Sequence, residues 1–392
     1  MDDWDGFSKQ IQYHRLLPRL YLFLKKTGDA ALIEEHAWER IECGFYSHLD
    51  RVVFSERELA SLLESFNKVN IDILLLKGAA LWQTVYRENP VRSLSDFDFL
   101  VRHEDLARAM SLLSDLGYAD TKSPSLPSMW HQENLSQRLH KWNFDLVNPS
   151  KMVMVDLHVE PLEAGTTFTL PAELMWKEAI LVNIGTSRAF LPSPRHLFAH
   201  LAFHLIKHRS ISRNVAFSWY LDLAECLRYF GDSVSEAFPP DVISKDSKGK
   251  RMSGEISSLL TFLENELHSV LPAGLRKFKE EHSGCADGID VSRVFSIQKH
   301  GFKAELMSFK NDAWLDRPGR IVELFFSTHG FRKKLVFIWK GIFPDNDYII
   351  RKYGSSAGVS RASAYFKHFF AVFWKAANVV CYWIKKKIST AS

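Results

Sequence analysis

The sequence predicts an α+β fold, a small strand-rich core inside a mostly helical chain. Three observations carry that reading. An apolar run, Ile71 to Leu76, stops abruptly at Lys77-Gly78, as a buried strand feeding a tight turn does. Leu94 to Val101 sets Asp96 and Asp98 against Phe97 and Phe99, the two-residue period of a strand with unlike faces. Trp142 to Val147 and Met152 to Val159 flank Asn148-Pro149-Ser150, a hairpin signal.

The elements follow in order. Residues 1–70 read as an N-terminal helical segment, with Leu16, Leu20 and Leu24, then Leu59, Leu62, Leu63 and Phe66, at helical spacing. Ser55 with Glu56 and Glu58 reads as a helix start. The core occupies 71–165. Within it a helix from Ala79 to Tyr86 ends before Asn89-Pro90, and Glu104 to Leu116 forms an amphipathic helix stopped by Gly117. Residues 166–330 read as a helical domain, with a short apolar piece at Ile180 to Ile184 and a polar, loop-like run from Ser244 to Gly254. Residues 331–392 form a basic, aromatic, helical tail, with Ala362 to Lys387 as its one long helix.

Composition narrows the class. At 392 residues, with 46% hydrophobic and 24% charged residues, the chain has the balance of a globular protein with a large core. Its four cysteines are far apart, which points to neither a disulfide framework nor a zinc ribbon. The N-terminus lacks the apolar segment of a signal peptide, and no run of 18 uncharged apolar residues occurs. The expected location is the cytoplasm. The net charge of +4 hides an asymmetry, because from Phe331 onward only Asp345 and Asp347 oppose the many Lys and Arg.

The chemistry is carried by carboxylates. Asp96 and Asp98 share one strand face, which is costly unless something cationic sits between them, and a divalent metal satisfies both. On the second hairpin strand Val153, Val155, Leu157 and Val159 share one face, so Asp156 and His158 emerge on the other. Three carboxylates are hard ligands suited to Mg²⁺ or Mn²⁺, and two such ions about 3.5–4 Å apart clamp an in-line phosphoryl displacement. Asp145, on the facing strand, rivals Asp156 as the third acid. Taken singly the residues have ordinary readings too: D-x-D as two exposed acids on an edge strand, Lys77 as a solvated strand-end cation, Arg92 as a salt-bridge partner of Asp96 or Asp98.

The pattern K-G-A-A-L…Y…R-x-L-S-D-F-D-F-L-V…V-D-L-H resembles the uncharacterised bacterial nucleotidyltransferases of the DNA polymerase-β-like superfamily. The resemblance is strongest from about Leu74 to Glu160. It extends weakly to L-x-x-H-L-x-x-H and to Leu221-Asp222-Leu223. It implies a polymerase-β-like sheet core flanked by N-terminal helices and a C-terminal helical half. By the same resemblance Asp96, Asp98 and Asp156 would be catalytic and bind the metal ions, Asp156 helping to deprotonate an acceptor hydroxyl. Lys77, Gly78, Ala79, Arg92 and Ser95 would form the nucleotide side, Gly78 letting backbone N–H groups approach the triphosphate. Ala79 stands where the wider superfamily usually carries Gly or Ser, which removes one hydroxyl contact and keeps the backbone ones. The implied reaction moves NMP from a nucleoside triphosphate to an acceptor, which is a small molecule, sugar, protein or nucleic acid. The alternative is a non-catalytic nucleotide-sensing or membrane-associated scaffold that retains the fold.

Two further features stay open at this level. His200, His204 and His208 fall at i, i+4 and i+8, so the outer pair stands about 12 Å apart. Zinc ligation, a cleft-facing helix or ordinary packing all accommodate them. The Ala362 to Lys387 helix has a wide aromatic arc and a narrow polar stripe. It reads as packed in the helical half, as an interfacial helix on an anionic membrane giving a peripheral contact, or as a nucleic-acid surface.

Overall fold

A computed structural model of the chain describes residues 4–92, 94, 96–120, 143–148, 151, 153–162, 170–212, 215–239, 243, 247–284, 289 and 294. The tail from 331 and its Ala362 to Lys387 helix lie outside the described residues, as does Ser95. By internal contacts the chain divides into two units, one of residues 1–119, 146–162 and 166–303, the other of 120–145, 163–165 and 304–392. The first unit carries the described helices and most of the sheet.

The α+β expectation holds. Three helices lead in: α1 (Trp4–Tyr13), α2 (Leu17–Thr27) and α3 (Glu35–Lys68). The helix start expected at Ser55 is not one, because α3 runs through it for 34 residues. Its buried stripe, Ile41, Phe45, Val52, Leu59, Leu62, Leu63 and Phe66, continues on both sides of Ser55 at helical spacing. Tertiary packing along that stripe decides the helix, and a capping residue inside it has nothing to cap.

One seven-stranded mixed sheet follows, in the order β3-β4-β5-β2-β1-β7-β6. The strands are β1 (Leu74–Leu75), β2 (Phe97–Leu100), β3 (Ala119–Asp120), β4 (Asn143–Asn148), β5 (Val153–His158), β6 (Ile180–Ile184) and β7 (Ser187–Leu191). Between them lie α4 (Lys77–Gln83), α5 (Leu106–Asp115) and α6 (Ala172–Lys177). The sheet runs past the expected core boundary at 165, since β7 pairs in parallel with β1 and β6 pairs antiparallel with β7. Thus 180–191, assigned from the sequence to the helical segment, is largely sheet.

The helical part is α7 (Pro194–Ser212), α8 (Ser218–Phe230), α9 (Ser247–Asn265) and α10 (Ala273–Glu281). The polar run expected as a loop from Ser244 is helical from Ser247, since Lys, Arg, Met and Glu are good helix formers whatever their polarity.

The two faces of the sheet differ as the alternation in β2 predicts. Phe97 and Phe99 stack with centroids 6.0 Å apart, and Phe66 of α3 meets Phe99 edge-on at 6.1 Å. The opposite face carries Leu74, Leu76 and Leu100, which pack against Ala172 and Met175 of α6. Asp98 belongs to that second face. A cross-tie holds α3 to the β4–β5 turn, where buried Glu58 accepts bonds from Tyr118 Oη at 2.9 Å and Lys151 Nζ at 2.7 Å.

Candidate active site

Strand register builds the centre. β2 and β5 run parallel with Asp98 opposite Asp156 and Leu100 opposite His158. Both carboxylates therefore leave the same side of adjacent strands, and both are buried, 3% and 8% exposed. His158 Nε2 lies 3.1 Å from Asp98 Oδ1 and 3.1 Å from Asp156 Oδ2. Lys77 joins them because the backbone N–H of Leu76 donates to the Asp98 carbonyl at 2.9 Å, which brings the next residue alongside. Lys77 Nζ reaches Asp98 Oδ1 at 2.5 Å.

The cation that the sequence argument requires between buried acids is present in the chain itself. Burial works against the Lys77 ammonium, but Asp98, Asp156 and Asp96 outweigh it and hold its pKa above the ordinary value. Burial likewise disfavours the His158 imidazolium, and Asp156 with Asp98 lifts it to about 9. For Asp98 burial raises the pKa, while Lys77 and His158 more than offset it, so the carboxylate stays ionised. Lys77 also has φ of 41°, a left-handed backbone rarely adopted by a lysine, and such strain concentrates at functional turns.

Asp98, Asp156 and His158 each offer a ligand atom, all within 4.8 Å of one another. Two hard carboxylates and an imidazole fit a divalent ion chemically. Among the described residues this group includes neither Asp96 nor Asp145. Asp96 lies just before β2, and its charge acts on Lys77 and Arg92.

The nucleotide-side residues divide. Gly78 does not face open space, because a Cβ there would lie 2.2 Å from Leu94 Cδ2 and 2.3 Å from Arg92 Nη1. Its lack of a side chain admits the Arg92 guanidinium. Arg92 in turn binds Asp222 of α8, Nε to Oδ2 at 2.9 Å, and Asp96 adds a further attraction. Ala79 is fully buried. The cluster around Arg92 extends further: Tyr86 Oη donates to Asp222 Oδ1 at 2.8 Å, and Arg19 Nη2 donates to Tyr86 Oη at 2.7 Å.

The histidine row splits as well. His200 is buried beside the acid centre, where burial first and the Lys77 charge second push it down to about 3, so it is neutral. His204 and His208 pack on Trp219, with ring centroids 4.7 and 5.2 Å away. Among the described residues they belong to no metal-ligand group. Tyr86 and Asp222 stand in the Y and the L-D-L of the resemblance, which gave them no role, and Arg19 stands in no motif. The one available signal is an aspartate inside the apolar Leu221-Asp222-Leu223, since a buried acid demands a partner.

The model of a family described as an uncharacterised nucleotidyltransferase matches residues 1–241. The chain belongs to this nucleotidyltransferase family. No curated protein and no solved structure matches it. The matched stretch starts with α1–α3, takes in the whole sheet and ends beyond α8, so the acid centre and the Arg92–Asp222 cluster both lie inside the nucleotidyltransferase segment. Among the described residues no helix is long and apolar enough to cross a membrane.

Proposed function

We propose that the protein transfers NMP from a nucleoside triphosphate to an acceptor hydroxyl or phosphate in a Mg²⁺- or Mn²⁺-dependent reaction that releases pyrophosphate. The observation that carries this reading is the in-register pair Asp98 and Asp156 on parallel strands, with Lys77 and His158 bound to it. A bound divalent ion supplies Lewis-acid charge on the phosphate oxygens. Asp98 and Asp156 would hold it, with Asp96, just before β2, as the third acid. His158 Nε2 fixes the rotamers of both carboxylates. Asp156 Oδ accepts the acceptor's proton. Lys77 exchanges Asp98 for a phosphate oxygen, and the backbone of the Lys77-Gly78-Ala79 turn, with Ser95, completes the nucleotide side. Arg92 acts from behind Gly78, holding the turn in place through Asp222.

The test is incubation of the full chain with each labelled triphosphate, Mg²⁺ or Mn²⁺, and cell extract. Pyrophosphate release with a labelled product, absent in Asp98→Asn, is the expected result. Nucleotide binding without pyrophosphate release from any triphosphate would return the protein to the non-catalytic sensor reading. We place the reaction in the cytoplasm. Any peripheral membrane contact belongs to the tail and is tested separately, by vesicle binding of a chain truncated after Arg361.

A further inference from the structure

A second site of positive charge lies outside the acid centre. A small cleft is lined by Arg15, Arg19, Val91, Arg92, Ser218 and Asp222. Its three guanidinium groups are not held alike. Asp222 holds Arg92 at 2.9 Å. Glu225 holds Arg19 at 3.4 Å and is shared with Arg228 at 2.6 Å. Arg15 has no side-chain hydrogen bond or ion pair among the described residues.

The backbone at Arg15 adds an independent observation. Helix α1 ends with Leu16 N–H bonded to Ile11 O at 2.9 Å and Arg15 N–H bonded to Gln12 O at 3.0 Å. That pairing is a Schellman ending, and it places Arg15 at the position normally given to glycine, with φ of 57°. Helix α2 shows the unstrained solution a few residues later, at Gly28 with φ of 80°. The residue before Arg15 is anchored: Phe217 N–H donates to His14 Nδ1 at 3.1 Å and Ser218 N–H to the His14 carbonyl at 3.3 Å. Arg15 is therefore held beside the N-terminal end of α8, whose first amides are taken by His14 and by the turn before the helix. A strained backbone that carries an unpaired arginine into a cleft is explained when the side chain has a ligand.

We infer that the Arg15–Arg19–Arg92 cleft is an oxyanion subsite that takes a phosphate group, with Arg15 as its uncommitted ligand. Arg92 joins the cleft to the acid centre, because its Nη1 lies over Gly78 while Lys77, one residue away, contacts Asp98. The phosphate belongs either to the donor's triphosphate or to a phosphorylated acceptor. That assignment to a substrate rests on the nucleotidyl-transfer reading; the anion site itself does not.

The probe is inorganic pyrophosphate, titrated calorimetrically into the full chain in chelator at constant ionic strength, beside Arg15→Gly and Arg15→Lys. A charge-assisted guanidinium–phosphate pair implies that Arg15→Gly weakens binding about tenfold or more. Arg15→Lys falls between parent and Arg15→Gly, since it restores charge without the bidentate fork. Because glycine relieves the left-handed strain, Arg15→Gly melts at the parent's temperature or higher. Parent-like pyrophosphate binding in Arg15→Gly, no binding by the parent, or a lowered melting temperature with unchanged affinity each overturns the inference. Competition between pyrophosphate and a non-hydrolysable triphosphate assigns the subsite to the donor, and simultaneous binding assigns it to the acceptor. Arg15-dependent pyrophosphate binding in a protein that releases pyrophosphate from no triphosphate keeps the subsite and discards the reaction.

Discussion

Two buried charge clusters flank the Lys77-Gly78 turn, and they are wired differently. On one side Lys77 and His158 both contact Asp98, His158 also contacts Asp156, and the charge of Asp156 acts on Lys77 as well. On the other, Arg92 and Tyr86 address separate oxygens of a single acid, Asp222, while Tyr86 also accepts from Arg19. A cluster with interchangeable partners admits an incoming ion or phosphate by exchange. A cluster in which two donors converge on one buried acid holds its geometry and resists substitution, because removing that acid leaves the guanidinium charged and buried. The contrast separates a centre built to change partners from a strut that keeps the centre in place.

The largest way to break that contrast is at the strut. Asp222→Ala leaves the Arg92 guanidinium buried without its carboxylate, and denaturant unfolding is expected to show a loss of about 3–5 kcal/mol. Should the loss stay within about 1 kcal/mol, Arg92 has another adequate partner and Asp222 is not the acid that holds it. Next comes Asp98→Asn, which is expected to reduce pyrophosphate release about 100-fold or more, the size seen when one charge-stabilising group is lost. Its stability cost is smaller than that of Asp222→Ala, since Asp156 and Asp96 still face Lys77. Equal destabilisation in the two variants would erase the distinction.

Gly78→Ala tests the joint between the clusters. Its methyl would displace a guanidinium already locked by Asp222, an overpacking expected to cost about 1–3 kcal/mol. Combined with Asp222→Ala, which frees the guanidinium to move, the alanine should cost less than it does alone, and strict additivity would refute the coupling. The smallest effect sharpens the shared cluster. His158 is raised from its ordinary 6.5 to about 9, so its contribution is fully present below pH 6.5 and is lost as pH rises through 9. Melts across that window should show the parent's stability falling with pH more steeply than that of His158→Gln.

How much of this could be read from the sequence depends on range. The two-residue alternation in β2 assigns Phe97 and Phe99 to the core and Asp98 to the opposite face, and the Val/Leu face of β5 does the same for Asp156 and His158. These are local statements, and the register completes them. The requirement for a cation between the acids was also legible, but its first occupant is Lys77, two positions past the strand. The partner of Arg92 was not legible, since Asp222 is 130 residues away and no spacing rule reaches that far. Gly78 kept its importance while its reason changed, from backbone approach to a ligand to room for a guanidinium. Strands β6 and β7 were missed because β6 is an edge strand with little burial, and its consecutive apolar Ile180-Leu181-Val182 hides the alternation in the sequence. The Ser55 start failed because a cap motif is a weak cue against a continuous packed stripe.

The pairing of β2 with β5 also carries a kinetic consequence. Parallel neighbours cannot be joined by a tight turn, and here Asp98 and His158 meet across 60 residues of chain, with Tyr86 and Asp222 meeting across 136. Contacts of such separation form late in folding, after the loop entropy they close has been overcome by local structure. A chain emerging from the ribosome therefore displays Lys77 and Asp98 well before it can assemble the centre around them. Catalytic competence becomes a property of the finished fold, and refolding followed by pyrophosphate release should lag refolding followed by helix content.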